Sequence, residues 1–368
     1  MQQQAHGGNL NWAAALAGCP PGAILDFSAS ISPLGLPSSV IAAIMSRLDD
    51  LRHYPDPNYS ELRLALSHFH QVPPEWILPG NGSAELLTLA GRELAQLEAT
   101  VVMTPAFGDY YRTLAAYKAK ILEFPVVLEG RGWEISPVPV YGSVPDLADL
   151  RLLTPLSQGY GFLLNNPHNP TGKLFSRRSI LPYLEQFALV VVDEAFMDFL
   201  PVDEEQSLIS LVQDYENLVI LRSLTKFYSL PGLRLGYAIA HPDRLSRWQS
   251  WRDPWPVNTL AAAAAIAALG DREFQKETWQ WLPSARNQLF QGLANFPGLH
   301  PFEGSVNFLL VECQESSSGL QKRLLQEHQI LIRDCLSFKE LGDRFFRVSV
   351  RTQSDNQRLL TALELVLR

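Results

Sequence analysis

The hydrophobic pattern of the 368-residue chain predicts an α/β fold, a sheet covered by helices on both faces, followed by a smaller α/β unit. Three observations predict it. Strand-like and helical apolar patterns alternate from about residue 76 to residue 240, as they do in covered sheets. The strand-like runs are continuously apolar rather than alternating, which fits strands buried on both faces. Beyond residue 270 the pattern shifts to longer helices separated by two further strands.

Taken in order, Gly80-Asn-Gly-Ser-Ala-Glu85 precedes Leu86, Leu87, Leu89, Ala90 and Leu94, which recur at helical spacing. Aromatics follow in Thr104-Pro-Ala-Phe-Gly-Asp-Tyr-Tyr111. Gly161-Phe-Leu-Leu164 reads as a strand that opens into the turn-rich Asn165-Asn-Pro-His-Asn-Pro-Thr-Gly172. Phe187-Ala-Leu-Val-Val-Val-Asp193 and Asn217-Leu-Val-Ile-Leu221 are further buried strands. Trp251-Arg-Asp-Pro-Trp-Pro256 punctuates the chain, and the alanine-rich run 261–268 is a good helix former. The remainder reads as helix Glu273 to Leu293, strand Phe308 to Glu312, helix Leu320 to Glu327, strand Phe345 to Val350 and helix Asn356 to Leu367. The expected organisation is an N-terminal segment over a cleft (1–35), a large domain (36–265) and a small C-terminal domain (266–368), without internal repeats.

The chemistry centres on Ser223-Leu-Thr-Lys-Phe-Tyr-Ser-Leu-Pro-Gly-Leu-Arg234. An amine (Lys226) just past a strand end, flanked by hydroxyls (Ser223, Thr225) and followed by one arginine (Arg234), suits a cofactor with an aldehyde and a phosphate. Pyridoxal phosphate is such a cofactor. Asp193 ends its apolar strand in a carboxylate, which is costly to bury unless a cation meets it, and a protonated pyridine nitrogen would do so. The Asn169 amide can donate to the ring's phenolic oxygen. The glycine-rich segment around Gly82 and Ser83 opens a helix and offers free N–H groups to a phosphate, and Phe107 can stack on a flat ring. Each also has a plain structural reading: Lys226 as a surface lysine, Asp193 and Ser83 as helix caps, Asn-Pro-Thr-Gly as a turn, Phe107 as core packing. The order Asn, Asp, Lys at or just past strand ends favours the functional reading, because open α/β sheets collect ligands there.

Together these residues resemble the fold-type I pyridoxal-phosphate enzymes of the aspartate aminotransferase superfamily along essentially the whole chain. The resemblance implies a mixed, mostly parallel sheet, Lys226 as the Schiff-base lysine, Asp193 as the ring-nitrogen partner and Asn169 as the phenolate donor. It also implies Phe107 as the stacking ring, and Ser223, Thr225, Arg234, Gly82 and Ser83 as the phosphate cup. Tyr54, in His53-Tyr-Pro-Asp-Pro-Asn58, matches a tyrosine that reaches a neighbour's cofactor in a homodimer with shared sites. Arg347, in Phe346-Arg-Val-Ser-Val350, matches the arginine that grips the substrate α-carboxylate; it also reads as an edge-strand cation. Phe196 stands where superfamily members often have a tyrosine. A phenyl ring cannot donate to the phenolic oxygen, which argues against ordinary aspartate-type transamination.

Within that superfamily, several segments resemble the L-threonine-O-3-phosphate decarboxylases of cobalamin biosynthesis. They are His6-Gly-Gly-Asn9, Leu25-Asp-Phe-Ser-Ala-Ser-Ile-Ser-Pro-Leu-Gly35, Arg222 to Tyr228, Ile332 to Phe338 and Arg347 to Thr352. The resemblance implies a phosphorylated amino acid as substrate, contacted by His6, Gly8, Asn9, Ser32, Asn169, Arg333 and Arg347. A carboxylate plus a phosphate calls for two cationic grips, and arginine's fork matches both. Ser30 and Ser32 stand where that pattern often shows asparagines. Histidinol-phosphate aminotransferases share the phosphate logic and are the alternative; a non-enzymatic regulator on the same fold is a third class.

Bulk composition excludes other partners. The net charge is −8 with no basic run, which argues against nucleic acid. Cys19, Cys313 and Cys335 are widely spaced and odd in number, so reduced thiols, a cytoplasmic setting and no zinc site are expected. No apolar run reaches the ~18 residues needed to span a membrane, and no signal-like start is present.

Overall fold

The computed structural model describes residues 6–129, 132–135 and 159–367. Part of the expected 76–240 alternation, residues 136–158, lies outside the described residues. Strand β1 (Leu25–Asp26) comes first. Eight strands then build the main sheet: β2 (Ile77–Asn81), β3 (Ala99–Thr104), β4 (Ile121–Glu129), β5 (Gly132–Ile135), β6 (Tyr160–Asn165), β7 (Leu189–Asp193), β8 (Leu218–Ser223) and β9 (Leu235–Ala240). Their spatial order is β2-β9-β8-β7-β6-β3-β4-β5. The central pairs β3/β4, β3/β6, β6/β7 and β7/β8 are parallel, while β2/β9, β8/β9 and β4/β5 are antiparallel. The sheet is therefore mixed and mostly parallel.

The continuously apolar strands sort their side chains by the period of two. Val190, Val192, Leu218 and Ile220 join a core with Ile180 and Leu184 of the helix Arg177–Gln186 and Ala264 and Ala268 of the helix Thr259–Gly270. Leu189, Val191, Val219 and Leu221 face the other way, onto Leu86 of the helix Gly82–Leu94, Leu114 of the helix Gly108–Ala116 and Trp248 of the helix Pro242–Ser250. Helices cover both faces, which is why these strands carry no polar stripe.

The C-terminal part forms an antiparallel sheet of β10 (Leu299–Pro301), β11 (Phe308–Cys313), β13 (Arg333–Asp334) and β14 (Phe345–Ser349), ordered β10-β11-β14-β13. The short β12 (Ile330–Leu331) pairs in parallel with β1, tying the N-terminal segment to this unit. Three helices flank the sheet, Arg272–Ala294, Ser317–His328 and Gln353–Val366, each opened by a side-chain cap: Asp271, Ser316 and Thr352. The expected elements shift by one to three residues at their ends; helix Leu320 to Glu327, for example, begins at Ser317 because Ser316 caps it.

A buried ion cluster backs the main sheet. Arg222 of β8 is 1% exposed and donates to Glu194, next after β7, at 2.9 Å and to Asp198 at 2.5 Å. Removing one partner strands two carboxylates that burial already pushes above their ordinary values. Arg222→Met is expected to destabilise the fold by ~3–5 kcal/mol, read as a fall in the urea midpoint. A loss under ~1 kcal/mol contradicts this role for the cluster.

Candidate active site

The period of two that sorts the core also builds the site. Asn165 ends β6, Asp193 ends β7 and Ser223 ends β8. They continue the faces of Leu163, Val191 and Leu221, so all three project to the same side of the sheet. Register places Asn165 opposite Asp193 and Asp193 opposite Leu221, so β6 and β7 end level while β8 runs two residues further, to Ser223. A cavity of about 270 Å³ lies there, lined by Asn165, Asp193, Lys226, Phe107, Asn169 and Ser83 among others. Arg333 and Arg347 of the C-terminal sheet and the buried Ser28 and Ser30 also line it, and the exposed His6 stands at its rim.

Lys226 lies three residues past β8. Burial pushes its ammonium below the ordinary lysine value; Arg234 and Arg347 push the same way, and Asp193 opposes them. Its Nζ stands 5.1 Å from the centre of the Phe196 ring. Asp193 is the site's acid. Burial raises its carboxyl above the ordinary value, opposed by hydrogen bonds from Tyr110 Oη to Oδ2 at 2.8 Å and from the Ala195 N–H to Oδ1 at 3.0 Å, and by the charge of Lys226.

β6 stops at Asn165, and Asn169 follows in the loop, since Pro167 and Pro170 have no N–H to continue a ladder. Arg347 Nη1 donates to Asn169 Oδ1 at 2.5 Å, which leaves Nδ2 as the amide's donor toward the cavity.

The residues expected to seat a phosphate lie around the start of the helix Gly82–Leu94 and the loop after β8. The Ser223 and Thr225 hydroxyls are 2.8 Å apart. The helix Gly82–Leu94 points its N-terminus at the cavity through Ser83. Gly82 takes φ of +73°, and a Cβ there would stand 2.6 Å from the Arg234 guanidinium, so only glycine lets the arginine lie against the helix start. Gly82, Ser223, Thr225 and Arg234 stand behind Ser83 and Lys226 and are not part of the cavity wall itself.

Arg333 and Arg347 are Cα partners across β13 and β14. Burial pushes Arg347 down to about 10, with the Arg333 charge adding to it. Arg333 Nη2 donates to Ser337 Oγ at 2.7 Å. Among the described residues no carboxylate lies within ion-pair distance of Arg347.

Other residues expected at the site lie off the cavity. Ser32 donates its N–H to the Lys226 carbonyl at 2.9 Å, and its hydroxyl accepts from Leu34 N–H at 3.4 Å; Ser28 and Ser30 line the wall instead. Gly8 donates its N–H to Ser28 Oγ at 2.8 Å, and the Asn9 side chain caps the helix Leu10–Ala17. His6 does reach the rim, 3.6 Å from Asp109 and ring to ring with Phe107 at 5.6 Å. Tyr54 is 80% exposed against Trp255 and lines a separate surface hollow. The sequence reading missed Tyr110, Asn165, Asp109, Ser28 and Ser337. Tyr110 was findable, since it lies one helical turn past Phe107 and so shares its face.

The donor set fits pyridoxal phosphate. The buried Asn165 Oδ1 has no hydrogen-bond partner and lines the cavity beside Asp193, so it awaits a donor from a ligand. Asp193 offers a carboxylate to a ring nitrogen, Asn169 a donor to a phenolic oxygen, Lys226 an amine to an aldehyde, and the Ser83 end a seat for phosphate. Among the described residues no cluster of three His, Cys, Asp or Glu side chains is placed to hold a metal. No helix among them is long and apolar enough to cross a membrane.

Comparison with known proteins agrees with this geometry. The chain is 40% identical to the threonine-phosphate decarboxylase of Salmonella typhimurium, covering 99% of this chain and 96% of that one. It is 30% identical to an adenosylcobalamin biosynthesis bifunctional protein of Leptospira interrogans, over 97% of this chain and 40% of that protein. The solved histidinol-phosphate aminotransferase of Clostridium acetobutylicum superposes with a TM-score of 0.83 at 26% identity, covering 93% of this chain and 99% of that one. The description of the aminotransferase class I and II family matches residues 23–363, and the chain belongs to that family.

Proposed function

We propose that this chain is a pyridoxal-phosphate-dependent carboxy-lyase that converts L-threonine O-3-phosphate to CO₂ and (R)-1-amino-2-propanol O-2-phosphate, the linker of cobalamin's nucleotide loop. The observation that carries the choice of substrate is the pair Arg333 and Arg347, opposed across two strands on one cavity wall. L-Threonine phosphate brings a carboxylate and a phosphate to that pair. In the alternative aminotransferase, histidinol phosphate brings a phosphate and no carboxylate and 2-oxoglutarate brings carboxylates and no phosphate, so only L-threonine phosphate presents both groups in one molecule. The 40% identity to a threonine-phosphate decarboxylase supports the same choice.

When bound, pyridoxal phosphate supplies an aldehyde for amines and a ring that withdraws electrons from Cα. The protein's residues do the rest. Asp193 holds the proton on the ring nitrogen, and Asn169 Nδ2 donates to the phenolic oxygen. Phe196, 6% exposed and packed edge-on against Phe308 at 5.0 Å, gives that oxygen no second donor. Arg347 binds the substrate carboxylate and Arg333 the phosphate, so both ends are held and one bond at Cα is presented for cleavage. About 4 kcal/mol of differential alignment favours one bond 10³-fold, within reach of two charge-assisted contacts. Lys226, with its ammonium held below the ordinary value, returns a proton to Cα.

The active unit is a homodimer. Tyr54 is 80% exposed in the structure, and Met45 (67%), Leu48 (51%) and Leu51 (58%) of the preceding helical segments are exposed too, which supports a second copy packing there. Tyr54 serves the cofactor phosphate of the second copy. Cys19, Cys313 and Cys335 are all free thiols, consistent with action in the reducing cytoplasm.

The two arginines separate by substrate. Arg333→Ala is expected to weaken L-threonine phosphate by ~2–5 kcal/mol in KM-derived terms and to leave unphosphorylated threonine nearly unaffected. Arg347→Ala is expected to damage both. Equal losses on both substrates for Arg333→Ala contradict the division of labour. For the dimer, Lys226→Ala mixed with Tyr54→Ala should regain activity through hybrid sites, each homodimer alone being nearly inactive. A fully active monomer in sedimentation contradicts the shared site. Lys226→Ala should also retain no cofactor after borohydride treatment, whereas label on another lysine overturns its assignment.

A further inference from the structure

The first turn of the helix Gly108–Ala116 sends a second side chain into the pocket besides Phe107. Tyr110 lies one turn on, its ring meeting Phe107 edge-on at 5.8 Å and 88°. It is 0% exposed by residue, yet it contributes to the cavity wall. Its Oη donates to Asp193 Oδ2 at 2.8 Å. The other oxygen, Oδ1, accepts the Ala195 N–H at 3.0 Å. Each carboxylate oxygen thus has one protein donor, which fixes the plane of the group while leaving lone pairs for a ligand. We propose that Tyr110 is a positioning residue of this active site, holding Asp193 as an oriented anion so that it can keep a proton on the cofactor's ring nitrogen.

Three groups face Asp193: Tyr110 from the helix Gly108–Ala116, Ala195 N–H from its own loop and Lys226 from the loop after β8. Burial drives Asp193 toward its neutral form, and the Tyr110 bond is the largest effect opposing it. The phenol itself is pushed well above its ordinary value by burial first, then by the charges of Asp193 and Asp109. It stays protonated through the working range and is a permanent donor. A neutral Asp193 cannot hold a pyridinium, so loss of this donor reaches the cofactor through the acid. A buried tyrosine that only satisfied its own hydroxyl would affect stability and nothing at the ring.

The role rests on the cofactor and not on the substrate, so cofactor binding reads it whichever reaction the enzyme performs. In the full-length protein, Tyr110→Phe is expected to raise the Kd for pyridoxal phosphate about tenfold, the scale of one hydrogen bond to a charged group. The sign with pH follows from the acid. Without the phenol, Asp193 takes up its proton at a higher pH, so the bound-cofactor absorbance is lost at a higher pH on acidification than in wild type. In an Asp193→Asn background, Tyr110→Phe should change Kd by less than about twofold, because the two residues act as one unit. Replacing Tyr110 with 3-fluorotyrosine, a near-isosteric and stronger donor, should move the same midpoint to lower pH and keeps the test decisive if the phenylalanine variant folds poorly. An unchanged Kd and midpoint in Tyr110→Phe, an equal loss in both backgrounds, or no shift with 3-fluorotyrosine overturns the proposal.

Discussion

Everything in this active site depends on the register of three neighbouring parallel strands. Register sets Asn165 of β6 against Asp193 of β7, and Asp193 against Leu221 of β8. The pleat then does the sorting: one residue of each pair of neighbours goes forward to the cavity and the next goes back. Asp193 and Ser223 go to the cavity side, Asp193 reaching the cavity wall itself. Glu194 and Arg222, their neighbours, go back and meet at 2.9 Å behind the sheet. The ion pair behind and the binding groups in front are thus two sides of one arrangement, and a slip of one residue in either strand would reverse both.

The charge pattern of the pocket follows from what it must hold. Lys226, Arg333 and Arg347 share the cavity lining with two acids, the buried Asp193 and Asp109 near His6. Burial lowers the affinity of all three cations for their protons, and it drives Asp193 toward neutrality. Such a site is expensive for the protein alone and becomes balanced when anionic groups and a cationic ring nitrogen enter together. The opposed arginines come from the C-terminal sheet, while the lysine and Asp193 come from the main sheet, so the two units contribute to one cavity. The N-terminal segment, tied to the C-terminal unit through β1 and β12, completes the lining with His6, Ser28 and Ser30.

Much of this was legible in the chain. Continuous runs such as Leu189-Val-Val-Val192 announce strands covered on both faces, and a carboxylate or amine at their ends announces a ligand. The fold class and the candidates Lys226 and Asp193 follow from such local patterns, whereas Arg333 and Arg347 were picked out by family resemblance. What was not legible depends on contacts distant in sequence. The Tyr110 bond to Asp193 spans 83 positions, and Gly8 to Ser28 joins a terminus to a loop. Ser32 illustrates the limit of alternation in an irregular loop. Its N–H is taken by the Lys226 carbonyl, and Ser28 and Ser30 face the cavity in its place. Without a regular period there was no rule to choose among the three serines.

Under the proposed function, two opposed arginines present the carboxylate of a phosphorylated amino acid for removal. The most direct measurement is turnover of carboxyl-labelled L-threonine phosphate by the wild-type enzyme in heavy water, with no keto acid present. The account predicts labelled CO₂ equal to substrate consumed, with one solvent deuterium on the carbon that lost it. Absence of labelled CO₂, together with rapid turnover of histidinol phosphate when 2-oxoglutarate is supplied, contradicts it and leaves the aminotransferase reading.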